Sequence, residues 1–388
     1  MPLAMVLGGL AVVAAVWVLT SWLGRSEGWA YDFKAYYDAA IRIIYTGSPY
    51  QELTLSGPFQ PGPGGLYLYS PVLALLMVPL TSLSLNDATI VWLLVRLVGL
   101  AVACAMLPVR PNLRLATFCI ALVSAPVLFD LNLGNVSLLV TVAAVAIWRY
   151  LDKPAAGVAL AASMLVRPTM GVIAAWWLLR GQWRPVAWAL GAGVALALVT
   201  LPFVGIGVWA EYFTVVRNVS DVTGVRSNVD LGSAVLMMDG PLWLATIALY
   251  AGYIVAGGAT LLSLRRDREL SFVVTLMATL LLAPLLWDHY LTNLLIPAAF
   301  LAGRGKTWGL ILPLLGWLPT LLKVVVPPLS GSAEAILPIV ALLGLLTPFL
   351  APSRGEPSGW FMDRLRGRRE SVDENRAKEP APALVIAD

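Results

Sequence analysis

Uncharged apolar runs recur along almost the whole of this chain, and they restrict the available folds more than any other feature. A run of about 18 or more such residues crosses a bilayer as a helix, because a helix satisfies every backbone N–H and C=O within the segment. The first run covers residues 4–23. Later ones cover 87–107, 115–130, 135–150, 154–166, 169–180, 186–209, 241–263, 270–287, 289–302, 307–327 and 334–350. Several fall short of the usual length of about 20 residues, so they read as tilted, re-entrant or half-length helices. The chain is 59% hydrophobic and 12% charged, with mean hydropathy +0.81, whereas a soluble domain is about 45–50% apolar and about 25% charged. These features predict an all-α polytopic membrane protein with about 12 transmembrane helices. A β-barrel is disfavoured, since its signal is alternation over about ten residues. The first run is longer than a usual signal-peptide core and has no Lys or Arg before it, so it reads as a span.

Basic residues orient the spans. Leu66 to Leu83 is apolar but carries Pro71 and Pro79. If it is not a span, residues 24–86 form one large first loop with juxtamembrane helices. Arg110, Arg114, Arg149, Lys153, Arg180, Arg184, Arg265, Arg266, Arg268, Arg304, Lys306 and the basic tail then share one side. That side holds 18 of the 26 Lys and Arg, with 7 opposite and Arg96 inside a span. The positive-inside rule makes the richer side cytoplasmic. The large loop 24–86 and a second loop, 210–240, are then extracytoplasmic, and both termini are cytoplasmic. Residues 1–351 make the membrane domain. The tail 352–388 is polar and of mixed charge, and reads as cytoplasmic and largely disordered.

This orientation gathers several polar residues on the outer face. Asp32 stands about one helical turn beyond the first apolar run, in Trp29-Ala-Tyr-Asp-Phe-Lys-Ala-Tyr-Tyr37. It is either a solvated loop carboxylate, a helix cap, or a base at the membrane surface that ionises and reaches a hydroxyl proton. Tyr36 follows it by one turn. Arg167, before Pro168, lies between two half-length helices. It either snorkels to the surface or clamps a phosphate, for which its forked planar cation is suited. Arg96 is a weaker candidate for the same task. The turn Leu131-Asn-Leu-Gly-Asn135 offers the amides of Asn132 and Asn135 to sugar hydroxyls or caps the next helix. His289 is the one histidine, flanked by Trp287 and Asp288. It is either structural or a donor to a phosphate or sugar oxygen, oriented by Asp288. Cys104 and Cys119 read as core residues. With no phosphate-binding loop, dinucleotide fingerprint or metal-ligand cluster in the sequence, no cofactor and no metal site is expected. The charge of +4 belongs to loops and tail, and does not point to nucleic acid.

The order of these motifs resembles glycosyltransferase family 87 of the membrane-embedded GT-C superfamily. The resemblance rests on Asp32, Tyr36-Tyr37, Ala40, Gly47-Ser-Pro-Tyr50 and Tyr69-Ser-Pro-Val72 with Pro79. It continues at Leu133-Gly-Asn135, Ala156-Gly-Val158, Leu165-Val-Arg-Pro168 and Ala283-Pro-Leu-Leu-Trp-Asp-His-Tyr290. It covers about residues 4–300. The sequence departs from the family at Asn135, where Gln is common, and at Tyr290, where a second histidine is common. The resemblance implies a GT-C fold and an inverting transferase. Its donor would be a polyprenyl-phosphate sugar, mannose above all, and its acceptor a glycolipid on the extracytoplasmic face, as in the phosphatidylinositol mannoside type of the actinobacteria. Asp32 would be the general base. Arg167, His289, Asn132 and Asn135 would hold the donor, and Tyr36, Trp287 and Asp288 would orient the acceptor. The competing expectations are an arabinofuranosyltransferase of the same fold and a flippase or transporter of lipid-linked sugars.

Overall fold

The computed structural model describes residues 29–58, 65–220, 228–329 and 331–352, with Gly9, Val12 and Val16 as isolated positions before them. The rest of the expected span 4–23, the middle of the Gly/Pro-rich stretch and the tail from residue 353 lie outside the described residues. Every regular element among the described residues is helical. Five helices are long and apolar enough to cross a membrane: Leu85–Met106, Trp183–Val219, Leu242–Ser263, Thr307–Val325 and Ala333–Leu350. Pro111–Val123 and Ala125–Leu133 would add a sixth if their 60° bend lies within one span.

The remaining expected runs fold into shorter pieces, and each has a local cause. The run 115–130 breaks at Ser124, where Pro126 sits in the first turn of the following helix and cannot donate to the turn before it. Residues 135–150, 154–166 and 169–180 give the helices Ser137–Arg149, Pro154–Met164 and Pro168–Leu179, all under 18 residues. The run 270–287 stops being α-helical at Leu281, ahead of Pro284, and 289–302 opens as the 3₁₀ turn Asp288–Leu294 before the α-helix Leu295–Gly303. The stretch 66–83 holds only the helix Pro71–Ser82, about 20 Å long and so shorter than a bilayer core of about 30 Å. Of the expected loop 210–240, residues up to Ser220 continue the long helix from Trp183. That helix has non-helical backbone at Gly205 (φ 72°, ψ 170°), three residues after Pro202. Leu231–Met237 forms another helix, capped by Asp230, whose carboxylate accepts from Ser233 N at 2.8 Å.

Two apolar clusters organise these helices. The larger is centred on Arg268–Leu281, which is buried on every side from Leu270 to Leu281. Burial on all faces leaves no polar stripe for water. Its hydroxyls are satisfied internally instead: Thr275 donates to Ser271 O (2.8 Å), Thr279 to Leu276 O (2.7 Å), and Ser271 accepts from Trp176 Nε1 (2.7 Å). Asp267 caps the first turn and pairs with Arg304 (2.8 Å), so the buried charge at this end is neutralised.

The smaller cluster is aromatic and surrounds the Tyr31–Thr46 helix. Phe33, Tyr36, Tyr67, Tyr69 and Trp92 are buried together there. Tyr36 meets Tyr69 edge-on at 5.1 Å and Trp92 at 6.4 Å, and Phe33 stacks on Trp92 at 5.9 Å. Edge-on and offset pairs are favoured by the ring quadrupoles and add to the burial energy.

Candidate active site

Asp32 sits in the first turn of Tyr31–Thr46, and two left-handed residues fix where that turn stands. Ala30, immediately before the helix, has φ 57°, and its N–H donates to Asn132 O at 2.8 Å. Such a conformation costs a residue with a Cβ about 1 kcal/mol, so the contact holds the helix entry against a local preference. Gly134, with φ 77°, closes Ala125–Leu133, and its N–H donates back to Asp130 O. An added Cβ there would lie 2.6 Å from Phe33 Cβ. Only glycine lets the 130–135 turn approach the Asp32 helix so closely. Trp92 Nε1 locks the turn by donating to Gly134 O at 2.8 Å.

The close approach delivers Asn135 to Asp32. Asn135 Nδ2 donates to Asp32 Oδ2 at 2.8 Å and to the Tyr69 hydroxyl at 3.3 Å. Its Oδ1 accepts from the N–H of Ser137 (2.9 Å) and from Ser137 Oγ (2.8 Å). This side chain–backbone turn two residues on is a habit of asparagine. Ser137 Oγ in turn accepts from Arg167 Nη2 at 2.7 Å. One hydrogen-bonded line thus runs from Asp32 through Asn135 and Ser137 to Arg167. Arg167 is buried, with its guanidinium 3.6 Å above the Tyr290 ring, and among the described residues Nη1 has no hydrogen-bond partner.

Asp32 is half-buried. Desolvation pushes its carboxyl above the usual carboxylate range. The nearby His289 imidazole and the Asn135 bond offset part of that rise. His289 is buried and stacks on Trp287 at 5.8 Å. Its Nδ1 lies 3.2 Å from Asp288 Oδ1, which also accepts from the His289 N–H at 2.7 Å. That carboxylate fixes the ring's orientation. Nε2 is buried and has no hydrogen-bond partner among the described residues.

A cleft of about 660 Å³, counting its open mouth, is lined by Tyr69, Arg167, Thr169, Val216, Trp287 and Tyr290 among others. Asp32 and His289 stand just behind its wall, Asp32 joined to Tyr69 through Asn135 and His289 packed on Trp287 and Tyr290. The walls are mostly apolar, with the cationic fork of Arg167 at one side. Such a recess can hold an anionic head with an apolar tail beside a carboxylate of raised proton affinity.

Most of the expected residues therefore converge. Tyr36 is buried in the supporting shell and donates to the Tyr69 hydroxyl at 3.2 Å. Asn132 contributes its backbone carbonyl to the Ala30 contact, so its role as a donor-binding amide is not what positions it. Arg96 is no phosphate clamp: it is fully buried, 3.6 Å from Asp130, and donates to Asp130 O (2.6 Å) and Leu131 O (3.2 Å). Tyr69, Ser137 and Tyr290 were not singled out by chemistry in the sequence. For Ser137 a signal existed, the Asn-x-Ser spacing at the start of a helix. For Tyr290 and Tyr69, adjacency to His289 and to Ser-Pro carries no chemical meaning until the chain is folded.

No curated protein and no solved structure matches the chain. The model of glycosyltransferase family 87 matches residues 67–287. Tyr69, Asn135, Arg167 and Trp287 fall within that range, and Asp32, Tyr36, Asp288 and His289 outside it. The match covers more than half of the sequence, and the chain belongs to glycosyltransferase family 87.

Proposed function

We propose that the chain is an inverting transferase of the cytoplasmic membrane. It moves a sugar, with mannose favoured, from a polyprenyl-phosphate donor to a glycolipid acceptor on the extracytoplasmic face. The supporting observation is the line Asp32–Asn135–Ser137–Arg167 beside the apolar cleft. It ties a base to a phosphate-binding cation within one rigid network. In the proposed topology the shorter apolar helices complete twelve spans, and residues 24–86 stay outside as one loop.

Asp32 takes the proton from an acceptor hydroxyl as its oxygen attacks the anomeric carbon. The bond from that carbon to the phosphate oxygen breaks, and its electron pair leaves with the lipid phosphate. Attack opposite the leaving group inverts the centre. Arg167 Nη1, without a hydrogen-bond partner among the described residues, meets the charge growing on the phosphate, with His289 beside it. Fixed donors in a site that excludes water serve that task without reorganising. The raised proton affinity of Asp32 suits the role, because a base nearer the working pH drives the transfer better. The lipid chain lies along the apolar walls formed in part by Leu68, Val216 and Val219.

The test incubates purified protein with polyprenyl-phosphate-mannose and a panel of glycolipid acceptors, and reads products by mass. A mannosylated acceptor with inverted linkage is expected. Transfer only from an arabinofuranosyl donor would replace the sugar. Movement of the labelled lipid across vesicles with no new glycosidic bond would overturn the reading in favour of a flippase.

A further inference from the structure

Tyr69 is the one side chain in this network that both lines the cleft and touches Asn135, the partner of Asp32. Its phenol accepts from Asn135 Nδ2 at 3.3 Å and from the Tyr36 hydroxyl at 3.2 Å. Both bonds use oxygen lone pairs, so the proton of Tyr69 itself is committed to neither. The ring is held firmly. It packs edge-on to Tyr36 at 5.1 Å and to Tyr67 at 5.9 Å. Its backbone carbonyl accepts from the Tyr50 hydroxyl at 2.9 Å, and the next N–H, of Ser70, donates to Leu165 O at 3.2 Å, two residues before Arg167. A cleft-lining phenol fixed on both its ring and its backbone, whose proton is used by neither of these two bonds, is a preorganised donor.

We propose that Tyr69 binds the donor directly, giving its phenolic proton to a hydroxyl of the sugar to be transferred. The inference rests on the donor class argued above. It concerns the sugar rather than the phosphate because of position. Arg167 stands at the phosphate end of the network and Asp32 at the acceptor end. Tyr69 is bonded to the amide that joins them. A hydroxyl donated across this gap registers the sugar between base and leaving group, and a ligand without the sugar has nothing to offer it.

The experiment measures affinity for two probes: a short-chain polyprenyl phosphate without sugar, and the glycosyl derivative of it that the wild-type protein turns over. For Tyr69→Phe, affinity for the glycosyl probe is expected to fall about three- to tenfold, the range of one neutral hydrogen bond. Affinity for the sugar-free phosphate is expected to hold. Tyr67→Phe is the packing control. It removes a buried phenol bond from the same cluster, donated to Ser70 O at 2.5 Å, and should lower thermal stability without changing the ratio of the two affinities. Equal losses for both probes, no loss for either, or the same selective loss in Tyr67→Phe would overturn the role given to Tyr69 while leaving the donor class intact. A wild-type protein that binds neither probe and turns over no glycosyl derivative overturns the donor class, and the role of Tyr69 with it.

Discussion

Asp32 and Asp130 are two carboxylates served by the same short turn, and they have opposite surroundings. Asp130 is fully buried, with the Arg96 guanidinium 3.6 Å away and bonded to its backbone carbonyl. Asp32 is half-buried, and its hydrogen-bond partner is the neutral amide of Asn135. An acid buried beside a cation is part of the packing around it. Removing one partner leaves the other uncompensated, and the pair anchors the turn. A carboxylate held by an amide behind a cleft wall has its proton affinity raised by desolvation. The difference shows how one turn can bury one acid beside a cation and hold another against a neutral amide.

The largest effect expected from breaking this contrast is at Asp32. Asp32→Asn keeps the shape and should lower turnover by about three orders of magnitude, within the range for a general base, with donor binding retained. Its stability should move the other way. The folded-state proton affinity of Asp32 is raised, so its contribution to stability is present at acid pH and lost as pH rises through the raised value. At neutral pH the amide should be at least as stable as wild type in a thermal melt. Retained turnover would remove Asp32 from the chemistry.

Arg96→Met attacks the other carboxylate. It should destabilise the protein by about 3 kcal/mol, with activity lost through displacement of the 130–135 turn. The double variant Arg96→Met/Asp130→Leu should recover most of that stability. A melt unchanged by Arg96→Met would deny the pair its anchoring role. Gly134→Ala tests the contact through which the turn serves both acids. Its Cβ would meet Phe33 Cβ at 2.6 Å in a left-handed backbone, for a loss of about 2 kcal/mol and a fall in turnover. A fully active, equally stable variant would show that the close approach does not position Asn135.

The smallest and most specific effect concerns pH. The acid limb of kcat/KM should lie above the ordinary carboxylate range. Asn135→Ala removes a bond that lowers the Asp32 proton affinity, so the limb should move to higher pH. A pH–rate profile reads this directly. A limb that stays put would mean that Asn135 does not touch the titrating base.

Much of this was legible before the fold was known. Asp32, Arg167 and His289 stand out because a charge or an imidazole beside long apolar runs is costly. Their convergence was not legible, since 103 residues separate Asp32 from Asn135. Arg96 shows the reverse: in sequence it is a weaker candidate for a phosphate clamp, and only its approach to Asp130 makes it structural. Tyr69 is one of 12 tyrosines, and its Ser-Pro neighbours mark a motif without telling what the phenol touches.

The sequence alone determined that the chain is helical and built for a bilayer. Hydropathy is additive along a segment, and a lipid solvent penalises every unsatisfied backbone group. It did not place the breaks inside the runs 115–130 and 270–287, although Pro126 and Pro284 stand beside them. Tertiary structure decided which carboxylate faces a cation and which faces a neutral amide. That choice depends on what lies within about 3 Å of an oxygen, and a chain in extended sequence has no such neighbours.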